Sequence, residues 1–186
     1  MKDMLISAAR ECGVEISEGM AESMERYWTY LKEVNESMNL TRVESDEEAV
    51  SRHFVDSLIP LKFDIIPAGA GMMDLGSGAG FPGMPLAIAR PDVHVTLVDS
   101  LGKRVNFLKE AANRAGVNID AVHARAEEAA KGDMREKFDI VTARAVARLI
   151  PAGIPGRDEY LVVVKKVSAT PKSFPRKPGE AARKPL

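Results

Sequence analysis

The chain has 186 residues, 45% hydrophobic and 28% charged, which fits one compact domain plus an appendage and excludes a wholly disordered chain. No run approaches the roughly 18 uncharged apolar residues of a membrane span, and the charged start MKDMLISAARECG is unlike a secretory leader, so a cytoplasmic protein is expected. A lone cysteine, Cys12, excludes an intramolecular disulfide, and the scattered His53, His94 and His123 offer no metal-ligand spacing.

Apolar residues recur at helical spacing from Lys2 to Glu11 and from Glu18 to Met38, the second run through Met20, Met24, Tyr27, Trp28, Leu31, Val34 and Met38, with Ser17 placed to cap it. Asp46 to Leu61 reads as a third helix. The stripe of methionines and aromatics reads as core, and residues 1–65 are expected to form a helical cap.

Beyond it, strands and helices alternate, the pattern of a parallel sheet with crossover helices. The expected strands are 72–75, 93–99, 119–123 and 138–142; the helices between them are 82–90, 101–115, stopped by Gly116, and 126–131. A β-rich run, Glu159 to Lys165, is expected near the sheet edge and closes a core over 66–167. Residues 168–186, rich in Pro, Lys and Arg, read as an extended basic tail. The net charge of −1 hides an asymmetry: residues 1–70 hold seven Lys/Arg against fourteen Asp/Glu, and residues 150–186 hold eight against three. The basic end suits a polyanion.

The chemistry centres on Asp74-Leu-Gly76-Ser-Gly78-Ala-Gly80-Phe81-Pro-Gly83, between an expected strand and an expected helix. Glycines let backbone approach a ligand closely. Two registers are open: Asp-x-Gly-x-Gly-x-Gly, and a Gly-x-Gly-x-x-Gly from Gly78 to Gly83 that suits a dinucleotide. A carboxylate at Asp74 disfavours a pyrophosphate and favours an ammonium and sulfonium, as in S-adenosyl-L-methionine. Asp99, at the end of the second strand, is placed to accept ribose hydroxyls, a role common to both ligands. Arg125-Ala126-Glu127 sits where an adenine can meet a backbone N–H and a side-chain acceptor, a capping glutamate being the plainer reading. Arg144, past the fourth strand, is the candidate cation of the cleft. Neither an Asp/Asn-Pro-Pro-aromatic motif nor a Pro-Cys nucleophile follows that strand. Methylation of an atom with a free lone pair, such as guanine N7, then needs positioning rather than a catalytic side chain.

Several segments, in order, resemble the RsmG family, also called glucose-inhibited division protein B. They are Asn39-Leu-Thr41, Arg52-His53-Phe-Val-Asp56-Ser57-Leu58, the run from Met73 to Leu86, Val98 to Val105, Arg125-Ala-Glu127, Thr142-Ala-Arg-Ala145, and Thr170 to Arg176 with Lys184-Pro-Leu186. The resemblance implies a Rossmann-like α/β methyltransferase fold with an N-terminal helical cap, S-adenosyl-L-methionine as cofactor, and methyl transfer to guanine N7 of 16S rRNA or the small ribosomal subunit. By it, Asp74, Gly76, Gly78, Gly80, Phe81, Asp99, Ala126, Glu127 and Arg144 would bind cofactor. Arg52, His53, Lys103, Arg104, Arg144, Arg176 and Lys177 would meet RNA, with no metal, no membrane and a monomeric protein. Between Leu149 and Asp158, however, the chain runs through Ile150 to Arg157 where the family has a further helix and strand; one α–β unit has no counterpart. A non-catalytic rRNA-binding or assembly factor, or a nicotinamide-dependent oxidoreductase, are the alternatives.

Overall fold

A computed structural model of the protein describes residues 1–144. The expected strand at 159–165, the tail at 168–186 with Arg176 and Lys177, and the shortened stretch at 150–157 lie outside the described residues.

The cap begins with α1 (Lys2–Glu11) and α2 (Glu18–Met38). As its sequence demands, α2 starts where Ser17 Oγ accepts from the Met20 N–H at 3.2 Å, and it stops at Asn39, in the left-handed region at φ 49°. Its buried stripe is Ala21, Met24, Tyr27, Trp28 and Leu31. Large side chains buried in this way contribute on the order of 2 kcal/mol each. The helix expected over 46–61 is instead three pieces: α3 (Asp46–Ala49), a π-helical stretch (Val50–Val55) and α4 (Asp56–Lys62). Ser45 caps the start, and Asp46 accepts from Trp28 Nε1 at 2.8 Å and Lys32 Nζ at 2.9 Å. Near the end, Pro60 lacks the N–H that would continue the ladder.

The core follows in the expected alternation: β1 (Gly71–Leu75), α5 (Gly83–Ala89), β2 (His94–Asp99), α6 (Gly102–Ala115), β3 (Asp120–His123), α7 (Ala126–Ala129) and β4 (Ile140–Thr142). Ends differ from the sequence reading by one or two residues, as helix and strand ends fray. Gly116 closes α6 at φ 72°. The four strands run parallel in the order β3-β2-β1-β4, so the chain reverses its direction of winding at β1. In such a sheet the crevice at the carboxyl ends of the strands on either side of the reversal is the ligand position. Register aligns Asp74 of β1 with Leu97 of β2 and Thr142 of β4, and Asp99 with His123 of β3, bringing these groups to one end.

Cap and sheet share one buried cluster. Leu5, Met24, Trp28 and Phe54 from the cap pack in it with Met84, Leu97 and Leu108 from the core. Among the described residues no helix is long and apolar enough to cross a membrane.

Candidate active site

At the end of β1 the chain turns back over the sheet. The Gly76 and Ser77 N–H groups both donate to the Val98 carbonyl, at 2.8 and 3.0 Å, and the Gly80 N–H donates to the Ser77 carbonyl at 2.7 Å. The four glycines divide by direction. A Cβ at Gly76 would have no atom within 4 Å, and one at Gly78 would meet only the Gly76 carbonyl oxygen at 3.8 Å. Both have positive φ, 73° and 58°, so their backbone faces open space in a conformation that favours glycine. Gly80 and Gly83 face inward: a Cβ would lie 2.8 Å from Tyr27 Oη at the first, and 2.2 Å from Leu97 Cδ2 at the second. Gly80, expected to bind cofactor, thus has a packing reason of its own.

Asp74 is 1% exposed and lies beneath the turn rather than on its open face. Its Oδ2 accepts from the Gly83 N–H at 3.3 Å and its Oδ1 from Thr142 Oγ1 at 2.9 Å, tying the start of α5 to β4. Burial raises the carboxyl above the usual carboxylate range, and the bonds from Thr142, Ser77 and Gly83 and the charge of Arg144 offset this in part. This arrangement bears on the two registers. In a dinucleotide site the helix N-terminus turns its N–H groups to pyrophosphate. Here a buried carboxylate holds the first N–H of α5, and the Met84 N–H is turned to the Gly80 carbonyl at 2.7 Å. The Gly83 and Met84 N–H groups that would face a phosphate at the start of α5 are therefore already taken, so the geometry disfavours the nicotinamide reading.

Asp99 lies beside the open glycines and is 3% exposed. Its Oδ2 accepts from the Gly78 N–H at 2.9 Å and its Oδ1 from the Leu101 N–H at 2.9 Å, so it steadies the glycine turn and the start of α6 together. Arg104 Nη1 stands 3.6 Å from Oδ2, half-buried against this carboxylate rather than turned wholly to solvent. Lys103, one residue earlier, is exposed. The Ala124 N–H donates to the Asp99 carbonyl at 3.1 Å, bringing the start of α7 to the same rim. There Glu128, not Glu127, accepts from the Arg125 N–H at 3.0 Å and completes the cap, leaving Ala126 and Glu127 exposed.

A second group of side chains joins the cap to the core. His53, on the π-helical stretch, stacks on Phe81 with ring centroids 4.5 Å apart and planes 21° apart. Arg144 lies across the same ring, its guanidinium carbon 5.3 Å from the Phe81 centroid, and donates to the Arg52 carbonyl at 3.3 Å. Burial, and then the charge of Arg144, push the His53 ring down to about 4. Arg52 is exposed and paired with Glu48 at 2.5 Å.

Sequence reasoning missed two groups here. Tyr27 belongs to the apolar stripe of α2, yet its hydroxyl donates to the Ala79 carbonyl and holds the glycine turn from below. A buried tyrosine needs a partner for its hydroxyl, which was the available signal. Thr142 ends β4 in register with Asp74, a relation that only the sheet order reveals.

Gly76 and Gly78 thus present open backbone beside the Asp99 carboxylate, Ala126 and Glu127 are exposed after β3, and Phe81, His53 and Arg144 pack together at the join of cap and core. A depression of about 430 Å³ lies elsewhere, between α6 and β3, where Lys109, Asn113, Asn118 and Asp120 are among its lining residues.

The family profile described as rRNA small subunit methyltransferase G matches residues 20–152. Ribosomal RNA small subunit methyltransferase G of Clostridium perfringens strain 13 is 38% identical over 234 aligned positions, covering 99% of this chain and 98% of the relative. The protein of that name from Desulforamulus reducens is 38% identical over 239 positions and 100% of both chains. Aligned lengths of 234 and 239 against 186 residues leave at least 48 positions of each alignment without a residue of this chain. A solved protein-L-isoaspartate O-methyltransferase shares the fold, with a TM-score of 0.51 at 11% identity over 77% of this chain and 47% of its own.

Proposed function

The chain belongs to the rRNA small subunit methyltransferase G family, and from that membership we propose that it transfers a methyl group from S-adenosyl-L-methionine to N7 of a guanine in 16S rRNA. The observation that carries the reading is the Asp74 carboxylate buried at the start of α5 beneath the open Gly76–Gly78 turn, next to Asp99. Its bond to the Gly83 N–H takes a helix donor that a pyrophosphate would need, and its bonds to Gly83 and Thr142 fix the turn whose open backbone would admit a cationic donor beside the Asp99 carboxylate.

In this reading Asp99 holds the ribose, Gly76 and Gly78 admit the methionine part along open backbone, and Ala126 and Glu127 flank the adenine. Phe81, His53 and Arg144 form the side of the cleft that meets the guanine. When bound, the cofactor supplies an electrophilic methyl on a sulfonium, and N7 takes it with a lone pair that carries no proton to remove. The chain therefore needs no general base; its work is to align, to exclude water and to keep the Phe81 face in place. Arg52, Lys103, Arg104 and Arg144, with Arg176 and Lys177 of the tail, are the proposed RNA contacts, acting in the cytoplasm on 16S rRNA or the small subunit. The protein acts as a monomer without a metal.

Titration calorimetry with S-adenosylhomocysteine and with NADH tests the ligand class. Binding of S-adenosylhomocysteine alone supports the reading, and binding of NADH alone contradicts it.

A second reading is favoured by one observation: at least 48 aligned positions of the relatives have no counterpart in this chain. The Ile150-Pro-Ala-Gly-Ile-Pro-Gly-Arg157 passage is where the sequence places the shortening, immediately after the Arg144 loop. A chain that kept the cofactor cleft and lost a wall of the guanine pocket would bind rRNA without methylating it. Transfer of labelled methyl to undermethylated small subunits separates the two readings.

A further inference from the structure

We propose that Thr41 and His53 are positioning residues for Arg144: Thr41 fixes the protonation pattern of the His53 ring so that its other nitrogen holds the guanidinium across Phe81. The inference deepens the reading of Arg144 as part of the cofactor and guanine cleft, and rests on it.

A chain of contacts runs from α2 to the mouth of the cleft. Asn35 grips Thr41 twice, its Oδ1 accepting from the Thr41 N–H at 2.9 Å and its Nδ2 donating to the Thr41 carbonyl at 2.9 Å. The Thr41 hydroxyl oxygen lies 2.8 Å from His53 Nε2 and accepts from the Val43 N–H at 3.1 Å. On the far side of the ring, Arg144 Nη2 lies 3.5 Å from His53 Nδ1. A guanidinium has donors only, so the Nδ1 that faces it is assigned the lone pair and Nε2 the proton, donated to Thr41, in preference to an Nδ1–H turned to the Arg52 carbonyl, which Arg144 Nη1 already occupies. The two approaches to the threonine oxygen, from Nε2–H and from the Val43 N–H, fill its two lone pairs, which makes the assignment self-consistent.

The π-helical stretch supplies the second grip. The Asp56 N–H, which an α-helix would turn to the Arg52 carbonyl, goes to the His53 carbonyl, and the Arg52 carbonyl accepts from Arg144 Nη1 at 3.3 Å. Both grips are long, so each alone is weak. Together they place the cation beside His53 and near the Phe81 ring on which His53 stacks, with centroids 4.5 Å apart. A protonated His53 would present a second donor and a like charge to Arg144 and release it. Burial of the ring between Trp28, Phe81 and the Thr41 hydroxyl keeps it neutral.

The test uses the full chain. Nitrogen NMR of ¹⁵N-histidine-labelled wild type at pH 7 reports the His53 tautomer without any cofactor, and calorimetric titration with S-adenosylhomocysteine reports the cleft. The proposal expects a neutral ring with its proton on Nε2, and loss of that preference in Thr41→Val. Affinity falls about fivefold in Thr41→Val, which removes the acceptor, and in His53→Gln, which keeps a donor to Thr41 but not an acceptor at the Nδ1 position. Thr41→Ser, which restores the hydroxyl, stays within about twofold of wild type, and His53→Asn, which restores the acceptor, binds at least about twofold more tightly than His53→Gln. A proton on Nδ1 in the wild type overturns the proposal, as does wild-type affinity in both Thr41→Val and His53→Gln. Uniform weakening of all four variants in step with their melting temperatures also overturns it, since that is the mark of a purely structural role. If wild type binds no S-adenosylhomocysteine, the cofactor reading fails, while the tautomer measurement still decides whether Thr41 fixes the ring.

Discussion

Two glycines of one turn are expected to fail in opposite ways when given a methyl group. At Gly83 a Cβ would stand 2.2 Å from Leu97 Cδ2 and 2.9 Å from Asp74 Cβ and Oδ2, so Gly83→Ala is expected to cost about 3 kcal/mol of stability, read as a lowered melting temperature. At Gly76 nothing stands within 4 Å, so Gly76→Ala costs only about 1 kcal/mol, for the positive φ of 73°. Under the proposed reading it is nevertheless expected to abolish S-adenosylhomocysteine binding, because the methyl would enter the space proposed for the cofactor. Tyr27→Phe removes the donor to the Ala79 carbonyl, and about 1 kcal/mol of lost stability is expected together with weaker cofactor binding. The place of the glycine run between β1 and α5, and of Asp99 at the end of β2, was legible in the sequence because each is fixed locally by a strand, a turn and a helix. Tyr27 and Thr142 were not, because each reaches its partner only after the chain has folded across 52 and 68 residues respectively.

Among the elements, the sheet and its helices were readable from alternation alone, with Ser17 and Gly116 marking the ends of helices as expected. The π-helical stretch was not readable, because Val50 to Val55 carries ordinary helical periodicity, and its widened turn brings backbone to Arg144, 92 residues away from Arg52. That stretch also carries a pH signature. His53 titrates near 4 in the folded chain against about 6.5 when unfolded, so between those values the unfolded state binds more protons. Stability contributed by the neutral ring is therefore fully present above pH 6.5 and is lost as pH falls toward 4. Asp74 acts with the opposite sign, since its raised pKa means that stability falls as its carboxyl ionises. The difference in unfolding free energy between wild type and His53→Phe isolates the histidine. It should narrow as pH drops from 7 to 4.5 in denaturant titrations, and a difference independent of pH would contradict the assignment.

For the molecule as a whole, the shared buried cluster joins cap and sheet too closely for independent folding. Leu5 and Trp28 pack in the same core as Leu97 and Leu108, so one cooperative unfolding transition is expected by near-ultraviolet and far-ultraviolet circular dichroism alike. Charge is uneven along the chain: residues 1–70 carry fourteen Asp/Glu against seven Lys/Arg, while Arg104 pairs with Asp99 at the start of α6, Lys103 beside it is exposed, and Arg144 meets the Arg52 carbonyl. Affinity for 16S rRNA is accordingly expected to fall with rising salt, and charge-removing changes at Lys103 to reduce the slope of that dependence. The sequence reading places a shortening after Leu149, in a passage too brief for a helix and strand, and the aligned lengths of the relatives leave at least 48 positions without a residue of this chain. The most direct measurement is incubation of the protein with methyl-labelled S-adenosyl-L-methionine and undermethylated small subunits, followed by digestion of the 16S rRNA and identification of the labelled nucleoside. The account predicts 7-methylguanosine at a single position. Binding of the cofactor without labelled rRNA, or label on any other atom, would contradict it.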